Sequence, residues 1–213
     1  MSAQVPAHYP VNLDLQGRPC LVIGAGSIAT RKIQTLLKFG AKVTVHAPEA
    51  TQTLRTLAQK KKIRLVTGKY KSSLVKNMAL IFAATDDEKV NKQVYRDATA
   101  RGILVNVADQ VDLCNFIAPA IVKRGSLVIA ISTAGTGPVL ARYLREEFEK
   151  IFDTKYAILL KKMHAQRKVI QKKLGSMNQK RRYWRQFMHD TAHEIGLVLP
   201  GKKNGTTARR AVI

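Results

Sequence analysis

The stretch Cys20-Leu21-Val22-Ile23-Gly24-Ala25-Gly26-Ser27-Ile28-Ala29 decides the fold: an apolar run breaks into a glycine turn that opens a helix. Where a strand hands over to a helix, exposed backbone N–H groups and the positive helix end can hold a pyrophosphate. Gly24 permits the tight turn, Gly26 lets backbone approach the phosphates, and Ala29 takes the third small position, where helix packs on strand. A glycine turn before a helix also occurs as plain structure, so the context decides. The strand starts within 20 residues of the N-terminus, and after one helix Lys42-Val43-Thr44-Val45-His46 supplies a second strand. Gly24, Ala25, Gly26, Ser27, Ile28 and Ala29 are therefore the expected dinucleotide-binding turn.

Working outward, residues 49–61 read as a helix ending in Lys60-Lys61-Lys62, followed by Ile63-Arg64-Leu65-Val66 as a short strand. Ala79-Leu80-Ile81-Phe82-Ala83-Ala84 is a continuous apolar run, the pattern of a strand buried on both faces. Thr85-Asp86-Asp87 supplies a helix N-cap, and Val90, Val94 and Ala98 recur every four residues before Gly102. Ile103-Leu104-Val105-Asn106-Val107 is a further strand. This alternation predicts an α/β fold, a Rossmann-like doubly wound parallel sheet with the cofactor across its C-terminal edge.

The rhythm then changes. Phe116–Val122 and Leu127–Ser132 flank Lys123-Arg124-Gly125-Ser126, which predicts a hairpin, with Pro119 inside the first run confining that strand to an edge or a bulge. Ala134-Gly135-Thr136-Gly137-Pro138 forms a turn, and Pro138 opens a helix carrying Val139, Leu140, Tyr143, Leu144 and Phe148. Residues 153–174 and 178–195 read as two amphipathic helices parted near Gly175-Ser176. Tyr156, Leu160, Met163, Ile170 and Leu174 form one stripe, interrupted by Arg167; Trp184, Phe187, Met188, Thr191 and Ile195 form the other. Both stripes are expected packing surface. The last dozen residues, rich in Gly and basic residues, are expected to be a frayed tail.

A length of 213 residues accommodates one nucleotide-binding domain and a smaller module, and an apolar share of 46% fits a globular protein. No segment approaches the ~20 apolar residues of a membrane span, the N-terminus has no signal-peptide pattern, and Cys20 and Cys114 make no disulfide framework. A cytoplasmic location with no membrane partner is the expectation. The net charge is +23; residues 1–150 hold 22 Lys/Arg against 11 Asp/Glu, and residues 151–213 hold 15 against 3. Such a field suits a polyanion or a solvated helical face, and charge alone does not choose.

Several blocks in order resemble the precorrin-2 dehydrogenase family, including the N-terminal module of sirohaem synthases. They are Tyr9-Pro10-Val11-Asn12-Leu13, Ala29-Thr30-Arg31-Lys32, Ala83-Ala84-Thr85-Asp86-Asp87 and Asn106-Val107-Ala108-Asp109. Asn115-Phe116-Ile117-Ala118-Pro119-Ala120 and the run Ser132–Arg142 complete the series, so the resemblance covers about residues 9–150. It implies NAD-dependent oxidation of precorrin-2 to sirohydrochlorin, with Fe(II) or Co(II) insertion as an alternative second activity. It also implies a Rossmann domain over residues 1–113, a small α+β dimerisation module over 114–150 forming a homodimer, and a basic helical module over 151–213. No methyltransferase-type module is seen, so uroporphyrinogen methylation is not expected.

On this resemblance Asp109 is the catalytic residue, a general base just past a buried strand; read without it, Asp109 would be a turn-capping aspartate. Pro48, Glu49, Thr85, Asp86 and Val107 join the glycine turn as cofactor contacts. The second strand ends in His46-Ala47-Pro48-Glu49, so an acid for the ribose comes late, and Glu49 would disfavour a 2′-phosphate if it reaches there. Precorrin-2 carries eight carboxylates, which gives the basic balance a meaning: Lys123, Arg124, Thr133 and Arg142 are candidate substrate contacts. No metal site is expected, since His189 and His193, four apart on a helix, lack a third ligand. Two other classes stay open: a non-catalytic NAD(H) sensor, which would not need Asp109, and a polyanion binder, against which no nucleic-acid motif is found.

Overall fold

Five parallel strands form the sheet of the first unit, in the order β3-β2-β1-β4-β5: β1 (Pro19–Ile23), β2 (Lys42–Ala47), β3 (Arg64–Thr67), β4 (Leu80–Ala83) and β5 (Leu104–Val107). Leu21, Val22, Ile81 and Val105 are wholly buried, as strands covered by helices on both faces require. Each such side chain contributes about 1.5–3 kcal/mol through burial. On one face α1 (Ser27–Lys38) buries Ala29, Ile33 and Leu36 against Val22, Val43 and Val45; on the other α3 (Glu88–Thr99) buries Val94 and Ala98 against Leu21, Ile81 and Val105. The order reverses at β1, whose neighbours are β2 and β4, so the crevice of this doubly wound sheet opens at the C-terminal ends of β1 and β4.

The structure, a computed structural model, describes residues 8–199, in two compact units. One runs to Ala118 and takes back Ala134–Thr136; the other holds Pro119–Thr133 and the chain from Gly137 onward. The expected frayed tail lies outside the described residues. Several boundaries differ from the sequence reading. The helix expected over 49–61 shrinks to α2 (Gln52–Gln59), because it starts only after Pro48 and Ala50, and Lys61 turns left-handed with φ +54°. The connection from β3 to β4 carries only a 3₁₀ turn, Ser72–Val75.

In the second unit β6 (Ala120–Arg124) pairs antiparallel with β7 (Leu127–Ile131). The expected strand from Phe116 begins four residues later, and Pro119 precedes it instead of lying inside it. The cause is competition: Asn115 N–H donates to the Val105 carbonyl at 3.0 Å and Asn106 Nδ2 to the Phe116 carbonyl at 3.1 Å, which hold 115–116 on β5. The turn tightens to Gly125-Ser126. Gly125 has φ +60°, and a Cβ there would lie 2.9 Å from Ala157 Cβ, so both the turn and its packing require glycine.

Three helices follow: α4 (Pro138–Ile151), α5 (Lys155–Lys173) and α6 (Met177–Glu194). Pro138 opens α4, and a capping box of Ser176 and Gln179 opens α6. Tyr156 and Leu159 of α5, Ala192 of α6 and Leu197 make a small core with Leu127, Phe152 and Met188 around it. The expected α5 stripe keeps Tyr156, Met163 and Ile170 inward and differs at one position, where Leu159 is buried and Leu160 half-buried.

Candidate functional site

Backbone packing shapes the turn after β1. Gly24 has φ +104° and donates its N–H to the His46 carbonyl at 2.9 Å, while a Cβ on it would meet the Ala84 carbonyl oxygen at 2.1 Å. Only glycine fits. Gly26 is different: its φ of −77° suits any residue, and a Cβ there would point into open space. The protein itself gives no reason for glycine at 26, whereas a ligand seated on the helix end does.

Gly26 is the N-cap of α1, with no side-chain cap and no acid in the first turn, so the N–H groups of Ser27 and Ile28 and the positive helix end face outward. Thr30 N–H closes the first helical bond on the Gly26 carbonyl at 2.9 Å. Ala25 and Ala29 are buried against the sheet. A pyrophosphate fits this cradle by shape and by charge.

The other expected contacts rim the same edge of the sheet. Pro48 and Glu49 follow β2 and are exposed. Thr85 and Asp86 follow β4; the Thr85 hydroxyl lies 3.1 Å from Asn91 Oδ1 and accepts Asp87 N–H at 3.1 Å, so it belongs to the cap of α3. Asp87 completes that cap, its Oδ1 accepting from Lys89 and Val90 N–H. Val107 ends β5 and is 2% exposed, and its backbone N–H and carbonyl both meet Cys114. His46 is buried at the end of β2, and burial holds its imidazole below the usual histidine range.

Asp109 lies two residues past β5, exposed, with φ +59°, a left-handed conformation that aspartate tolerates better than most residues. No hydrogen bond engages its carboxylate among the described residues. Its loop is closed from below by Cys114, whose thiol reaches the Val107 carbonyl at 3.3 Å and the Gln110 carbonyl at 3.2 Å and accepts Val107 N–H at 3.3 Å. Sequence reasoning missed this clamp, since a cysteine in a turn carries no signal of what its sulfur will meet. Burial raises the Cys114 thiol's pKa and keeps it protonated.

The second unit places the four candidate substrate residues as follows. Lys123 Nζ donates to the Gly125 carbonyl at 2.6 Å, and Thr133 Oγ1 accepts Gly137 N–H at 3.2 Å ahead of α4. Arg142 is exposed and pairs with Glu146 at 3.0 Å. Arg124 is committed elsewhere: its guanidinium donates to the carbonyls of Phe152 at 2.8 Å and Glu149 at 3.3 Å, capping the C-terminal end of α4. On α6, Arg181, Arg182, Arg185 and His189 line an open groove. Among the described residues no three His, Cys, Asp or Glu side chains gather as a metal site, and no helix is long and apolar enough to cross a membrane.

Known proteins share this sequence pattern and this fold. A family described as NAD(P)-binding matches residues 11–120, and the central part of a sirohaem biosynthesis protein matches residues 124–151. The sirohaem synthase of Pseudoalteromonas atlantica is 38% identical over 189 residues, 88% of this chain and 41% of that protein. That of Methylobacillus flagellatus is 38% identical over 203 residues, 95% of this chain and 43% of that protein. The chain thus spans about two fifths of the length of these relatives. The solved structure of SirC, precorrin-2 dehydrogenase, superposes with a TM-score of 0.70 at 30% identity, over 89% of this chain and 99% of that one.

Proposed function

The chain belongs to the sirohaem synthase and precorrin-2 dehydrogenase family, and on that premise we propose that it oxidises precorrin-2 to sirohydrochlorin with NAD. One observation carries the reading: the phosphate cradle at Gly24–Ala29 and the unengaged carboxylate of Asp109 stand on the same edge of one sheet.

When bound, NAD supplies the hydride acceptor. The backbone N–H groups of Ser27 and Ile28 hold its pyrophosphate, with Gly26 leaving the room, and Pro48 and Glu49 receive the adenosine side. Thr85 and Asp86 line the opposite half, with Val107 beneath it at the end of β5. Oxidation removes a hydride and a proton from the macrocycle, and Asp109 takes the proton as general base. Lys123, Thr133 and Arg142 are the proposed carboxylate contacts of the second unit, while Arg124 serves α4. The exposed apolar side chains Val139, Leu140 and Tyr143 on α4 support a homodimer formed through that unit. The cytoplasm, where NAD and free thiols coexist, is the proposed location.

The test is an anaerobic assay with precorrin-2 and NAD. Stoichiometric NADH and sirohydrochlorin support the reading; NAD binding without turnover sinks it in favour of a sensor. Adding Fe(II) or Co(II) to the product then reads out metal insertion.

A further inference from the structure

Lys32 lies five residues into α1, about 7.5 Å along the axis from Ser27 at the usual rise, on the helix face that covers the sheet. Its Nζ stands 5.1 Å from the centroid of the Phe82 ring on β4, and Phe116 packs edge-on against that ring at 5.5 Å. The side chain is half-buried. Burial first, and the neighbouring Arg31 second, hold its ammonium below the usual lysine range, while Asp109 acts in the opposite sense. Asp109 is thus a neighbour, yet no carboxylate comes within ion-pair distance of Lys32 among the described residues.

A ring face attracts a cation but accepts no more than a fraction of its hydrogen-bonding capacity, and an ammonium has three donors. Leucine or methionine would cover Phe82 without the desolvation cost, so packing does not explain a lysine here. An anionic ligand does. The cofactor's pyrophosphate has its cradle more than a turn away, at the helix end. Lys32 is instead a cation beside Asp109, whose own charge repels a polycarboxylate from the point where a proton must be taken.

Resting on the precorrin-2 reading, we propose that Lys32 binds one peripheral carboxylate of the substrate beside Asp109. The ammonium, seated on the Phe82–Phe116 shelf, fixes the macrocycle edge over the base and offsets the repulsion between two carboxylates.

The test is steady-state kinetics of Lys32→Met and Lys32→Arg, with NAD affinity measured separately by calorimetry. Methionine keeps the contact with Phe82 and removes the charge. The expected result is a KM for precorrin-2 raised about 10-fold or more, kcat changed less than about 3-fold, unchanged NAD affinity, and recovery of most of the loss by arginine. An unchanged KM overturns the proposal. So does a loss of NAD affinity by the same factor, which would make Lys32 a cofactor residue, or a fall in kcat alone. If the parent turns over no precorrin-2, the dehydrogenase reading fails first, and equilibrium binding of sirohydrochlorin to the same variants decides the role of Lys32 independently. Weaker binding by Lys32→Met supports it, and equal binding or none by the parent overturns it. Should Lys32→Met fail to fold by circular dichroism, Lys32→Gln carries the same comparison.

Discussion

In the proposed site Gly26 and Asp109 have separate tasks and should fail differently. Gly26→Asp places a side chain and a negative charge in open space over the end of α1, so NAD affinity should fall below calorimetric detection while the melting temperature stays within a few degrees. A variant that titrates NAD like the parent would move the cofactor elsewhere. Asp109→Asn keeps the shape and tolerates the same left-handed backbone, so turnover should drop about 10²- to 10⁴-fold with substrate affinity held or improved. Parent-like rates in single-turnover assays would return Asp109 to a turn residue. Both proposed roles start from the sequence, one from a local motif and the other from ordered family blocks. The inward course of Lys32 and the thiol clamp of Cys114 were not legible there, because each depends on what a side chain meets across the fold: Phe82 is fifty residues from Lys32 along the chain.

Elements were legible where local chemistry fixes them. Asp87 ahead of α3, Pro138 at the start of α4 and the apolar run of β4 all speak within one or two turns. The start of β6 was not, since Asn106 and Asn115 tie the preceding residues to β5 through side-chain bonds that no periodicity reveals. The hold of Arg124 on α4 spans 28 residues and is equally silent. On α6, Arg181, Arg182 and Arg185 line an open groove and have no carboxylate partner among the described residues. Replacing Lys180, Arg181, Arg182 and Arg185 by glutamine should weaken precorrin-2 binding and flatten its dependence on salt, because exposed charges act through a screened field. Nucleic-acid binding lost by this variant with dehydrogenation intact would instead mark α6 as a polyanion surface of another kind.

For the molecule as a whole, the apolar residues left uncovered on α4 are the feature that a monomer does not explain. Val139 is 81% exposed, Tyr143 57% and Leu140 53%, all within two turns of one helix. Light scattering at low micromolar concentration should give twice the chain mass, and Leu140→Glu with Tyr143→Glu should return it to one. A parent that scatters as a monomer would remove the dimer. The first unit is also not a contiguous stretch of chain. Ala134–Thr136 belong to it, and a Cβ on Gly135 would meet Val111 Cγ2 at 2.9 Å, which shows how closely that returning segment lies on the loop after β5. A ribosome that has released Ala118 has therefore not yet delivered everything the nucleotide-binding half needs. The last three residues of that half leave only once the hairpin has followed, so residue-by-residue synthesis delivers the two units as overlapping lengths of chain instead of one after the other.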